Sequence, residues 1–208
     1  MLHKLQYISQ GKNPKEHHEN IYSVLDSGAT LVQLRLKNVS DEEYTDYAYK
    51  TKELCSKYNS ILIINDNPKV AREVNAEAVH LGLDDMKIEE AKKVAPGKIF
   101  GGTANTFEHI KQRFIEQVNY VGLGPFRFTT TKEKLSPILG TKGYADILKI
   151  MESEGINLPV YAIGGIELND LHSIMSTGVY GVAVSGLLTS AANKEKLIKE
   201  INKYLYHA

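Results

Sequence analysis

Short runs of aliphatic and β-branched residues recur along the chain, separated by segments whose apolar positions follow helical spacing. The runs predict strands at Leu5–Ser9, Thr30–Leu36, Ile61–Ile64, Ala78–Leu81, Lys98–Gly101, Tyr120–Leu123, Pro159–Ile163 and Gly181–Val184. Helix starts carry their own signals. Ser40 with Glu43 fits a capping box ahead of Tyr44 and Tyr47, Asn67-Pro68 fits an N-cap followed by proline, and Thr106 suits the cap of a later helix. No long linker, composition shift, short-period repeat or low-complexity tract divides the chain. Strands alternating with helices mean parallel β/α architecture, as a closed barrel or a doubly wound open sheet. The units are short and similar, and no G-x-G-x-x-G follows the first strand. Both features favour a minimal (β/α)8 TIM barrel, one compact domain over residues 1–208.

Composition narrows the function classes. Lys+Arg and Asp+Glu both number 25, so the net charge is zero. That balance argues against nucleic-acid or membrane-surface partners, which favour a basic excess. Small-molecule substrates are the expected partners, and a homo-oligomer is left open. The single cysteine, Cys55, allows no internal disulfide and no cysteine metal cluster, and its helical setting reads as a small core residue. Met1–Gln10 lacks the apolar core of a signal peptide and no stretch is long enough to span a bilayer, so a cytoplasmic location is expected.

Several polar residues are not explained by a core. In Val32-Gln33-Leu34-Arg35-Leu36-Lys37, alternation turns the apolar set towards the outer helices and Gln33, Arg35 and Lys37 towards the barrel axis and mouth. Two like charges about 4 Å apart cost roughly 4 kcal/mol at an effective dielectric near 20, so this pair calls for an anion. The bland alternative is a solvated edge strand or an internal salt bridge. The third strand leads into Asn65-Asp66 and the fourth into Gly82-Leu83-Asp84-Asp85, which places carboxylates on neighbouring strand ends. Such acids repel unless a cation lies between them, and oxygen ligands beside phosphate suit Mg²⁺. Asp85 has a competing reading as the cap of a helix from Met86. His80 reads as packed on its strand, and His17 and His18 as solvated on a polar helix.

The longest loop follows the sixth strand, Gly122-Leu123-Gly124-Pro125-Phe126-Arg127-Phe128-Thr129-Thr130-Thr131-Lys132, running on to about Gly140. Hydroxyls and an ammonium suit phosphate oxygens, and the length suits a cover over a site, although a plain surface loop has the same polarity. Gly164-Gly165 after the seventh strand and Ser185-Gly186 after the eighth allow main-chain N–H groups to close on a phosphate.

Taken in order, VQLRLK, IIND, HLGLDD, GGTANT, YVGLGPFRFTTTK, YAIGGI and GVAVSG make the chain resemble the thiamine-phosphate synthase family over nearly its whole length. That family joins 4-amino-2-methyl-5-hydroxymethylpyrimidine diphosphate to a thiazole monophosphate, releasing pyrophosphate. The resemblance implies that Arg35, Lys37, Asn65 and Lys132 hold the diphosphate, that Asp66 and Asp85 coordinate Mg²⁺, and that Gln33 orients the pyrimidine. It places Thr103 where a serine is common, and gives the thiazole phosphate to Thr129, Thr131, Gly165, Ser185 and Gly186. Catalysis would then fall to Arg35, Lys37, Thr103 and Lys132, with the C–O bond dissociating before the thiazole nitrogen attacks. Leu83, Asn67 and Asn105 depart from the family's usual glutamine, arginine and histidine. Two rivals share the scaffold: a thiazole tautomerase, which would not need the diphosphate cluster, and a non-catalytic sensor of the phosphate ligand.

Overall fold

The protein is described by a computed structural model covering residues 2–128 and 137–206. Its strands are β1 (Leu5–Ile8), β2 (Leu31–Leu34), β3 (Ile61–Asn65), β4 (Ala78–Leu81), β5 (Ile99–Ala104), β6 (Tyr120–Leu123), β7 (Val160–Ile163) and β8 (Gly181–Val184). Between and after them run α1 (Pro14–Asp26), α2 (Asp41–Lys57), α3 (Pro68–Glu73), α4 (Ile88–Val94), α5 (Phe107–Ile115), α6 (Gly140–Ser153), α7 (Leu171–Met175), α8 (Gly186–Thr189) and α9 (Lys194–Tyr206). All neighbouring strands are parallel, and β8 pairs back onto β1 to close the barrel. The expected (β/α)8 TIM barrel is therefore the fold.

Each strand is buried on both faces, which is why its sequence reads as a short apolar run. Val32, Leu34, Leu62, Ile64, Val79, Val121 and Val182 point outward into the layer shared with the helices. Ile8, Leu31, Ile63, Ala78, Tyr120, Tyr161 and Ala183 fill the barrel interior. Tyr120, Tyr161 and Tyr180 stack edge to face, with ring centroids 5.4 Å apart at each step. Gly101 makes room for this ladder, because a Cβ there would lie 2.1 Å from Cζ of Tyr120. The lower barrel is thus a packed plug that leaves only the C-terminal mouth for chemistry.

Helix entry follows the capping signals. Asn13, Ser40, Asn67 and Thr106 each accept the N–H of the residue three positions on. β4, β6 and β8 have the bounds the periodicity predicts, and the other strands shift by one to three residues at one or both ends. β2 stops at Leu34, not Leu36, while β5 runs on to Ala104 because Thr103 and Ala104 pair with Gly122 and Leu123. Cys55 is fully buried, and burial pushes its thiol up to about 12, as suits an inert core residue. Among the described residues no helix is long and apolar enough to cross a membrane.

Candidate active site

Gln33 lies inside the barrel beside Ile8 and Ile63, as alternation requires. Beyond Leu34 the ladder gives way to a side chain: the Arg35 N–H donates to Oγ of Ser9 at 2.9 Å. The Ser9 hydroxyl also shares a hydrogen bond with Nδ1 of His17, 2.8 Å away. His17 and His18 are therefore not solvated, contrary to their polar helical setting. Both are half-buried, and burial holds each below the ordinary imidazole range, with Arg35 adding to the shift at His17 and Lys50 at His18. Arg35 reaches the mouth. Lys37, three residues past the strand, pairs at the rim with Oδ2 of Asp66. The left-handed turn at Asn38 (φ 58°) follows directly and carries the chain away.

Asp66 itself has φ 64°, a conformation few non-glycine residues adopt. Its N–H donates to the His80 carbonyl (2.8 Å) and the next N–H, of Asn67, returns to Asn65 (2.9 Å). Strain of this kind persists only where surroundings fix it, and it concentrates at functional sites. Here it aims a carboxylate at Asp85. Asp85 is not a helix cap: α4 begins only at Ile88 with Lys87 before it, and Oδ2 of Asp85 instead takes the Gly82 N–H at 2.6 Å. Burial, followed by the hydrogen bond with Asp85, pushes Asp66 up to about 6 against the pull of Lys37. For Asp85 burial acts upward too, but the bonds from Asp66 and Gly82 outweigh it and hold the group below the usual carboxylate range. Two carboxylates brought this close repel each other, and a cation between them would relieve that repulsion.

The donors beneath them point to an acceptor-rich ligand. Nε2 of Gln33 and Nδ2 of Asn65 are buried and have no hydrogen-bond partner among the described residues. An orphaned buried donor costs about 1–3 kcal/mol, which a bound acceptor recovers. Thr103 lies on β5, two strands round from Asn65, with its hydroxyl 3.1 Å from Nε2 of His80, while Nδ1 of His80 meets the Tyr120 hydroxyl at 3.2 Å. His80 is thus packed inside the barrel, as its strand position implied, and also sets the Thr103 hydroxyl.

The other side of the mouth is built from main chain. Gly164 (φ 100°) and Gly165 (φ 66°) make a turn that side-chain-bearing residues would strain, and Ser185 leads into the first turn of α8. Gly165, Ser185 and Gly186 share with Arg35 a cavity of about 450 Å³ between β1, β7 and β8. Gln33, Lys37, Asn65, Asp66, Asp85 and Thr103 form the neighbouring rim and throat and do not line it. Thr129, Thr131 and Lys132 lie outside the described residues.

The alternation of apolar and polar residues missed several groups. Tyr44, at the start of α2, extends its phenol over the strand ends, 2.9 Å from the Leu34 carbonyl and 2.8 Å from that of Asn65. Tyr144 does the same across β6 and β7, donating to Leu123 and accepting the Ile163 N–H. Buried Arg113 on α5 binds the carbonyls of Gly82 (2.8 Å) and Thr103 (3.3 Å), joining the segments that carry Asp85 and Thr103. Gln10 lines the cavity and accepts from the Ser185 hydroxyl (3.3 Å). For Arg113 a signal existed: Gly102 in GGT leaves the space that its side chain fills.

With this geometry in place, the comparisons are decisive. A family model described as thiamine monophosphate synthase matches residues 5–188. The chain belongs to the thiamine monophosphate synthase family. A thiamine-phosphate synthase of Flavobacterium johnsoniae is 51% identical over 207 residues, covering 99% of this chain and 98% of that relative. A member from Bacteroides fragilis is 42% identical over 95% of this chain and 97% of its own length. Among solved structures, thiamine phosphate pyrophosphorylase from Pyrococcus furiosus superposes with a TM-score of 0.85 at 30% identity, covering 98% of this chain and 96% of that one. Membership of the family thus extends over the whole barrel, including both sides of the mouth.

Proposed function

We propose that residues 1–208 form a single-barrel thiamine-phosphate synthase acting in the cytoplasm. It would condense 4-amino-2-methyl-5-hydroxymethylpyrimidine diphosphate with 4-methyl-5-(2-phosphooxyethyl)thiazole, yielding thiamine phosphate and pyrophosphate. The observation that carries this reading is the Lys37–Asp66–Asp85 cluster on the rim that Arg35 shares. A tautomerase working on the thiazole phosphate alone has no use for such a cluster, and neither has a sensor of the monophosphate.

In this reading Arg35, Lys37, Asn65 and Lys132 hold the diphosphate and Gln33 orients the pyrimidine. Asp66 and Asp85 would hold Mg²⁺. Their oxygen donors and their close approach fit an ion that takes most of its ligands from phosphate and water. Bound there, Mg²⁺ would neutralise charge gathering on the departing pyrophosphate. As the C–O bond breaks, the electron pair leaves with pyrophosphate, and Arg35, Lys37 and Lys132 stabilise it. Thr103, fixed by His80, donates at the same place. Thr129, Thr131 and the main chain at Gly165, Ser185 and Gly186 hold the thiazole phosphate, so that the ring nitrogen meets the pyrimidine methylene cation and forms the new C–N bond. No general base is required. The rate comes from positioning and from charge stabilisation.

The test is direct. Purified protein with both substrates and Mg²⁺ should release pyrophosphate and thiamine phosphate in equal amounts, EDTA should stop it, and added Mg²⁺ should restore it. Binding of the thiazole phosphate without pyrophosphate release would refute the assignment, and turnover unaffected by EDTA would remove the metal.

A further inference from the structure

The glycine turn after β7 is held from above by a segment whose sequence gave no hint of the task. Phe126 N–H donates to the Ile163 carbonyl (2.9 Å), Arg127 N–H to that of Gly164 (3.0 Å), and Nη1 of Arg127 to that of Gly165 (2.8 Å). Three successive carbonyls are thus tied to two residues. The fit is close: a Cβ on Gly164 would lie 2.8 Å from Cβ of Pro125, and one on Gly165 3.1 Å from Cβ of Arg127.

The same guanidinium grips Asp170 through two parallel bonds of 2.9 Å and lies 3.5 Å from a carboxylate oxygen of Glu167. Asp170 in turn accepts the Glu167 N–H at 2.8 Å. Bidentate pairing of this kind fixes direction as well as charge. Glu167 also lines the cavity. Two carboxylates therefore stand beside a turn proposed to receive a phosphate dianion, and Arg127 is the cation placed between them and the turn.

We propose that Arg127, braced by Asp170, is the positioning residue of the monophosphate subsite. It holds the Gly164-Gly165 peptides in their binding orientation and offsets the negative charge of Glu167 and Asp170 that would otherwise repel the thiazole phosphate. The proposal rests on the reading of that turn as the monophosphate site.

Steady-state kinetics for both substrates separate the two ideas. Arg127→Ala should raise KM for the thiazole phosphate by about tenfold or more, as expected for losing bonds to charged groups. KM for the pyrimidine diphosphate should stay within about twofold, since the sites are separate. The increase should shrink at high salt, where exposed carboxylates are screened. Replacing both acids as well, in Arg127→Ala/Glu167→Gln/Asp170→Asn, should recover part of the loss, and Arg127→Lys should be intermediate. An unchanged thiazole-phosphate KM in Arg127→Ala overturns the proposal, as does an equal rise in both KM values with a lowered Tm. Gly164→Ala distinguishes the levels. If it raises the thiazole-phosphate KM while Arg127→Ala does not, only the positioning role fails; if neither does, the turn is not the monophosphate site.

Discussion

Across the mouth of this barrel, two halves meet anions by different means. From β2 to β5 the polar groups are side chains: Arg35, Lys37, Asp66, Asp85 and Thr103, set on strand ends by partners such as Ser9, Tyr44 and Arg113. From β6 to β8, among the described residues, they are mainly peptide groups of the Gly164-Gly165 turn and of the entry to α8, with Ser185 alongside. The difference matches what each half is proposed to do. A diphosphate that departs gathers charge during the reaction, and full charges with a metal respond to that change. A monophosphate that only anchors its substrate needs the same grip before and after, and main-chain donors provide it without side-chain ordering. The comparison predicts separable kinetic defects: turnover on one side, anchoring on the other.

The largest effect should come from Arg35→Ala. Removing a cation used as charge builds should lower kcat by about 100- to 1,000-fold, while the Tm stays near wild type and thiazole-phosphate binding measured by calorimetry, weakened because Arg35 also lines that cavity, falls by far less. A near-normal kcat would dissolve the distinction between the halves. On the other side, Gly164→Ala forces a side chain into φ 100° and against Pro125. Strain of about 1–3 kcal/mol should appear as a lower Tm and a raised thiazole-phosphate KM, with kcat at saturation largely kept. A kcat defect as large as that of Arg35→Ala would show that the turn takes part in the chemical step.

Much of this was legible in the residues, for reasons that also mark where legibility ended. Strands buried on both faces leave unbroken apolar runs, and Ser40, Asn67 and Thr106 cap by local rules, so the barrel could be read without tertiary knowledge. Gln33 was placed correctly because alternation holds inside a strand. Lys37 lies past the end of β2, so alternation suggested its place at the mouth but not its partner there, Asp66. Asp85 could be separated from a capping role only once α4 was seen to start at Ile88. His17 looked solvated because its own helix is polar; its partner is on β1's exit, which helical periodicity does not register. Residue pairs such as Gly102 with Arg113 are complementary in shape across elements, and a one-dimensional pattern carries no record of them.

A matched pair of conservative changes sharpens the comparison at smaller scale. Tyr44 and Tyr144 occupy corresponding places in the two halves, each pinning two strand ends with one phenol. Phenylalanine at either position keeps the ring and removes the bond, at a cost of about 1 kcal/mol. Tm should fall by similar amounts in both variants. Their kinetics should diverge: Tyr44→Phe raising KM for the pyrimidine diphosphate and Tyr144→Phe that for the thiazole phosphate. Identical kinetic profiles would mean that the strand ends move together and that the halves are not independent.

The smallest effect is one of pH, and it too belongs to one half. Burial, with Arg35 nearby, holds His17 below its ordinary value of 6.5, against the Gly11 carbonyl and Glu16, which favour the proton. The unfolded chain therefore takes up the proton first as pH falls, so the stability contributed by neutral His17 is complete above 6.5 and is lost as pH drops through the folded value. His18 is depressed in the same direction and persists in a His17 variant. His17→Gln should thus flatten, without abolishing, the fall in Tm below pH 6.5. Protonated His17 can only donate at Nδ1, and that constraint passes through the Ser9 hydroxyl to the main chain at Arg35. Over the same range the pyrimidine-diphosphate KM of the wild type should rise more steeply than that of His17→Gln, with the thiazole-phosphate KM of the two proteins running in parallel. Parallel curves for both substrates would confine His17 to stability and cut the link from α1 to the diphosphate half of the mouth.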